Sequence, residues 1–216
     1  MMEHRAALRD DWLALWRSLD ASGDPEEVFR DLESRYSEPG RAYHGLVHIA
    51  HCLGELRGYP AGSEDTTAVE FALWFHDAVY DSRAGDNEER SAALARQAAL
   101  EAGLPAGFAN QVTALILATK HSAEPDSPEA RLLTDIDLSI LGQPDAVFDN
   151  YARGIRQEYA WVPFQDFAQG RRRVLEAFAA RNTIFSTPFF RAKYEQIARA
   201  NLARSISLFD THIRLV

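Results

Sequence analysis

Apolar residues recur at steps of three and four along nearly the whole chain. Leu8, Trp12, Leu15, Trp16 and Leu19 form the first stripe, the period of an α-helix that buries one face. Gly23-Asp24-Pro25 stops it and opens the next helix, with Asp24 as the expected N-cap and Pro25 at the first helical position. Val28, Phe29, Leu32 and Tyr36 continue the pattern until Pro39-Gly40. The same period predicts helices near 45–57, 65–79, 87–102, 107–120, 129–141, 145–160, 164–181 and 188–209. Between them stand Gly58-Tyr59-Pro60, Gly103-Leu104-Pro105, Pro125 to Pro128, Gly142-Gln143-Pro144, Pro163 and Thr187-Pro188, residues that break helices. Alternating strand patterns, internal repeats and long polar linkers are absent. The expectation is all-α: a single globular domain over residues 1–216, a helical array rather than a four-helix bundle.

Composition narrows the function. The chain has 216 residues, 46% of them hydrophobic and 25% charged, with a net charge of −9. An acidic surface repels nucleic acid and anionic membranes at long range, so broad binding to either is not expected. The single cysteine, Cys52, cannot form an intramolecular disulfide. No apolar signal core opens the sequence and no stretch is long and apolar enough for a membrane span. A cytoplasmic location is the default expectation.

Three segments place metal-ligand side chains in or beside apolar helices: Tyr43 to His48, Trp74-Phe75-His76-Asp77 and Thr134 to Ser139. Burying such groups is costly unless something satisfies them. His44 and His48 stack one turn apart if both are helical, whereas a helix starting at Gly45 puts His44 at its entrance. His76 and Asp77 diverge by about 100° on a regular helix, yet both can grip an ion lodged between helices. Imidazole nitrogen and carboxylate oxygen together suit a first-row divalent ion. Asp135 and Asp137 point in different directions on a helix, so only one of them is expected at any one ion.

The order His48, His76-Asp77, Asp137 resembles the H…HD…D signature of the HD superfamily of metal-dependent phosphohydrolases, which is all-helical. Tyr43-His44-x-x-x-His48 is also similar to a segment of cyclic-nucleotide phosphodiesterases, and Asp137-Leu138-Ser139 to their D-L-S segment. The most extensive resemblance is to a bacterial group of predicted HD phosphohydrolases. It runs through Tyr43 to His48, Trp74 to Asp81, Asn87 to Ala92, Ala118 to His121 and Asp135 to Gly142, then Ile155-Arg156-x-Glu158-Tyr159 and Gly170-Arg171. The resemblance implies His48, His76, Asp77 and Asp137 as ligands of one divalent metal ion (Mn, Mg, Fe, Co, Ni or Zn). It favours Asp137 over Asp135, places the metal site within about 41–141, and gives His44 the part of proton donor. Dinuclear relatives typically carry a histidine where this chain has Tyr80, or further histidines downstream; Lys120 beside His121 opposes a second dication, so one ion is expected rather than two.

The activity so implied is hydrolysis of a phosphoester in a nucleotide or other small phosphorylated molecule, with Asp77 and His44 catalytic. Lys120, His121, Arg156 and Arg171 are candidates to hold the phosphate, because guanidinium and ammonium groups complement it; surface ion pairing is the alternative for the arginines. Asp81 and Glu88 either orient the water or begin a loop and a helix as solvated acids. Two other classes stay open: a metal-containing module that binds a ligand without turnover, and an oxygenase using two irons.

Overall fold

The computed structural model describes residues 2–60 and 66–214, with side chains described over 5–60 and 66–209. All its regular structure is helical, and no strand occurs among the described residues. The helices group into two compact units, Met1–Thr134 and Asp135–Val216. No helix among the described residues is long and apolar enough to cross a membrane.

The first unit opens with α1 (Met2–Ser18) and α2 (Pro25–Tyr36). Between them Gly23 adopts φ +89°, a conformation that side chains other than glycine enter only at a cost. The Asp24 carboxylate accepts from the backbone N–H of Glu26 at 2.9 Å, as its expected capping role requires. The predicted α1 stripe is buried at Leu8, Trp12, Leu15 and Trp16. Next come α3 (Leu46–Gly58) and α4 (Thr66–Phe75). Helix α4 is buried at Ala68, Val69 and every residue from Phe71 to Phe75, so it is enclosed nearly all round rather than on one face. Its Trp74 lies 5.6 Å from the Trp12 ring and 6.2 Å from Phe29, both edge-on, an arrangement aromatic quadrupoles favour. Helices α5 (Asn87–Glu101) and α6 (Ala106–Ala118) pack on each other. The small buried residues Ala92, Ala95 and Ala99 of α5 and Ala109 of α6 leave room for close approach.

Helix α7 (Pro128–Leu138) carries the chain across the unit boundary. In the second unit a 3-10 turn (Ser139–Gly142) leads to α8 (Asp145–Glu158), α9 (Phe164–Ala179) and α10 (Pro188–Arg214). Helix α10 packs on α9 and on the 3-10 turn. A Cβ on Gly142 would stand 2.4 Å from that of Tyr194, so only glycine fits this approach. Buried Asn201 donates to the carbonyls of Leu141 and Gln143, each at 2.9 Å. Arg199 donates to the carbonyls of Ala179, Arg181 and Asn182 and so satisfies the C-terminal end of α9.

Two predicted helices are shorter than their hydrophobic period. The stretch read as 65–79 leaves the helix after Phe75, and that read as 129–141 tightens to 3-10 geometry after Leu138. Both departures fall on residues with candidate chemistry.

Candidate metal centre

Helix α3 begins at Leu46 with Gly45 as its N-cap, so His44 lies at the entrance and His48 one turn inside. A side chain at position 45 would meet the Tyr36 carbonyl at 3.1 Å, which lets the backbone before α3 sit close against α2. His48 is 2% exposed and points its Nε2 at that of His76, 3.1 Å away. His76 is 1% exposed. Its amide still bonds Ala72 as in a helix, but Ala78 bonds Phe75 and the chain turns there. The turn removes the divergence expected of adjacent helical residues: Asp77 Oδ2 lies 3.2 Å from His76 Nε2 and 3.5 Å from His48 Nε2. The Asp77 side chain keeps 19% of its surface exposed and so opens the cluster to solvent.

His76 Nδ1 stands 2.9 Å from the carbonyl oxygen of Leu73. A carbonyl only accepts, so Nδ1 donates and the neutral ring keeps its lone pair on Nε2, facing His48. Burial opposes ionisation of Asp77, but when the imidazoles of His76, His44 and His48 carry protons their attraction outweighs it and holds the carboxyl well below the usual range.

Three donor atoms thus form a triangle with edges of 3.1, 3.2 and 3.5 Å. For metal–ligand distances of about 2.1 Å, neighbouring donors stand about 3.0 Å apart on an octahedron and about 3.4 Å apart on a tetrahedron. The residues fit one ion without rearrangement. Cys52, one turn beyond His48 and fully buried, places Sγ 3.7 Å from each ring nitrogen of His48 and completes a buried His48–Cys52–His76 cluster. Its spacing of four from His48 was the available signal, and a reading confined to disulfides overlooks it.

Arg41 was not singled out by the sequence. Its side chain is 3% exposed and donates to the carbonyls of His44 at 3.1 Å, Asp77 at 2.6 Å and Ala78 at 3.0 Å. The guanidinium also lies over the rings of Tyr36 and Tyr80 and pairs with Glu38. Tyr80 stacks on His44 with centroids 4.2 Å apart and planes 29° from parallel. The loop after the His76-Asp77 turn is braced from α5: Ser91 exchanges hydrogen bonds with both backbone groups of Val79, and Asn87 does the same for Asp81. Asp81 itself is exposed and accepts from the Arg83 amide, which makes it a turn former.

The remaining candidates come from later segments of the chain. Lys120 pairs with Glu89, near Glu88 in the first turn of α5, and is exposed. His121 follows α6 in a left-handed conformation with φ +52°. In the second unit Arg156 donates to the carbonyls of Tyr159 and Val162 beyond the end of α8 and lies over Phe167. Arg171 bonds the Tyr151 hydroxyl and covers its ring. Asp137 is half-buried in the last turn of α7. Asp135 is buried and accepts from the amides of Ser186 and Thr187 and the Thr187 hydroxyl, at 2.8, 2.7 and 2.7 Å.

No family model, curated protein or solved structure matches this chain.

Proposed function

We propose that this chain is a metal-dependent phosphohydrolase that cleaves a phosphoester in a nucleotide or another small phosphorylated molecule. The observation that carries this reading is the donor triangle of His48, His76 and Asp77. Two imidazoles with one carboxylate favour a first-row transition ion over magnesium or calcium, which prefer oxygen. When bound, such an ion acidifies its water and neutralises charge developing on phosphorus.

The protein's own groups supply the rest. The Leu73 carbonyl fixes the His76 tautomer, and Arg41 holds the backbone on both sides of the cluster. His44 sits half-buried at the mouth of α3, oriented by Tyr80, and serves as the proton donor to the leaving oxygen. The resemblance adds Asp137 as a further ligand, and charge makes Lys120, His121, Arg156 and Arg171 the candidate phosphate-side groups. For Arg156 the bonds to Tyr159 and Val162 favour helix capping instead.

The test is a screen of the metal-stripped full chain, reloaded with Mn, Co, Ni, Fe, Zn or Mg, against nucleotides, cyclic nucleotides and aryl phosphates. Turnover that needs added metal and disappears in Asp77→Ala is expected. Turnover that survives Asp77→Ala would sink the assignment. Ligand-induced stabilisation with no product under any metal would point instead to a binding module.

A further inference from the structure

A cavity of about 480 Å³ lies in the first unit, bounded by α1, α3 and α4. That is the size of a small-molecule site. Leu15, Leu53 and Leu56 give it an apolar wall, and Asp11, Arg57 and Glu70 bring charge to it. The charges are not balanced. Arg57 pairs with Asp11 at 2.8 Å, and among the described residues no side chain lies within ion-pairing distance of Glu70. One half-buried carboxylate therefore faces the cavity with its charge offset only in part, by an Arg57 guanidinium that is bonded to Asp11. Partly withdrawn from water, that carboxylate offers a ligand a charge to complement.

We propose that this cavity binds a small organic cation, an ammonium group on an apolar body, with Glu70 as its counter-ion. The apolar wall takes the body, and a charge-assisted hydrogen bond from the ammonium satisfies the carboxylate. A neutral or anionic ligand of the same shape leaves Glu70 unsatisfied or repelled. Burial and the neighbouring Asp11 raise the Glu70 pKa to about 6, the cost that a bound cation relieves. The site is independent of the metal centre and of any hydrolytic activity.

The experiment compares benzylamine, phenethylamine and tryptamine with their corresponding alcohols, using the full chain at pH 7.5. Thermal shift gives the affinity, and amide chemical shifts give the location. At least one amine is expected to raise Tm and perturb Leu15, Leu53 and Glu70, whereas its alcohol does neither. Glu70→Gln keeps the shape without the charge and is expected to weaken amine binding at least tenfold. Equal shifts with amine and alcohol, undiminished binding by Glu70→Gln, or no shift across the panel would overturn the proposal.

Discussion

The guanidinium of Arg41 donates to the main-chain carbonyl of Asp77 at 2.6 Å and, from the same nitrogen, to that of His44 at 3.1 Å. One side chain thereby fixes the separation between the entrance of α3 and the turn that ends α4. Arg41→Met keeps the apolar stem but leaves three carbonyls without their donor. It is expected to cost about 3 kcal/mol in urea unfolding. Groups that orient ligands typically change metal affinity by about 10–100-fold, so a calorimetric metal titration of Arg41→Met checks the positioning role separately from stability. Arg41→Lys keeps the charge but not the fork, and is expected to recover little of either.

The triangle makes stability depend on metal. Because the donors are assembled only in the folded chain, an ion at 100 times its Kd adds about 2.7 kcal/mol, which for a chain of this length raises Tm by about 5–10 °C. Chelation is expected to reverse the shift, and His48→Ala, His76→Ala and Asp77→Asn to abolish it. Differential scanning calorimetry with and without Co or Mn is the check. An unchanged Tm under every metal would remove the basis of the proposed function.

Much of the helical order was legible because Gly, Pro and Asp punctuate the chain where backbone freedom or capping is needed. Asp24-Pro25 and Gly103-Leu104-Pro105 are read correctly by local chemistry alone. The end of α4 was not. Hydrophobic period runs through Phe75 to Ala78 and Val79, yet the backbone turns at His76, held by Arg41 and Ser91 from distant segments. Period-based reading sees burial, not such long-range polar braces. It could name His48, His76 and Asp77 as candidates, but the convergence of neighbours His76 and Asp77 needed that turn. Arg41 was invisible because a charged loop residue is ordinarily solvated.

Glu70 gives a pH dependence with a definite sign. Its folded pKa of about 6 exceeds the ordinary value of 4.5, so its protonated form is the one that favours folding. That contribution is complete below about pH 4.5 and is lost as pH rises through about 6. At pH 7.5 the ionised group costs about 1 kcal/mol after allowance for partial solvation. Glu70→Gln is therefore expected to be more stable than the parent at pH 7.5 and equal to it near pH 4. Urea midpoints at the two pH values test this without any ligand.

Gly142 lies under Tyr194, with a Cβ-to-Cβ approach of 2.4 Å for any larger residue. Tyr194 is on α10 and its Cβ moves only with the helix. Gly142→Ala is thus expected to destabilise by about 2–3 kcal/mol through overpacking, measured by urea unfolding. Gly170, which has open space around its position and lies inside α9, is expected to respond oppositely. Alanine there gains up to about 1 kcal/mol of helix propensity.

The two acids of α7 separate by what their carboxylates bond. Asp135 accepts three hydrogen bonds from Ser186 and Thr187, the residues that lead into α10, and so ties that helix start to α7 within the second unit. Asp135→Ala removes a capping acceptor and leaves two amides to find other partners. It is expected to cost about 3 kcal/mol in urea unfolding while metal-induced stabilisation persists. Under the proposed function Asp137→Asn gives the reverse pattern, a reduced metal response with a smaller change in metal-free stability. Hydrophobic period does not distinguish these roles, because both acids sit among the same apolar neighbours and differ only in the direction set by the helix; only the resemblance through Asp137-Leu138-Ser139 separates them. An undiminished metal response in Asp137→Asn would remove Asp137 from the ligand set and leave His48, His76 and Asp77 as its protein members.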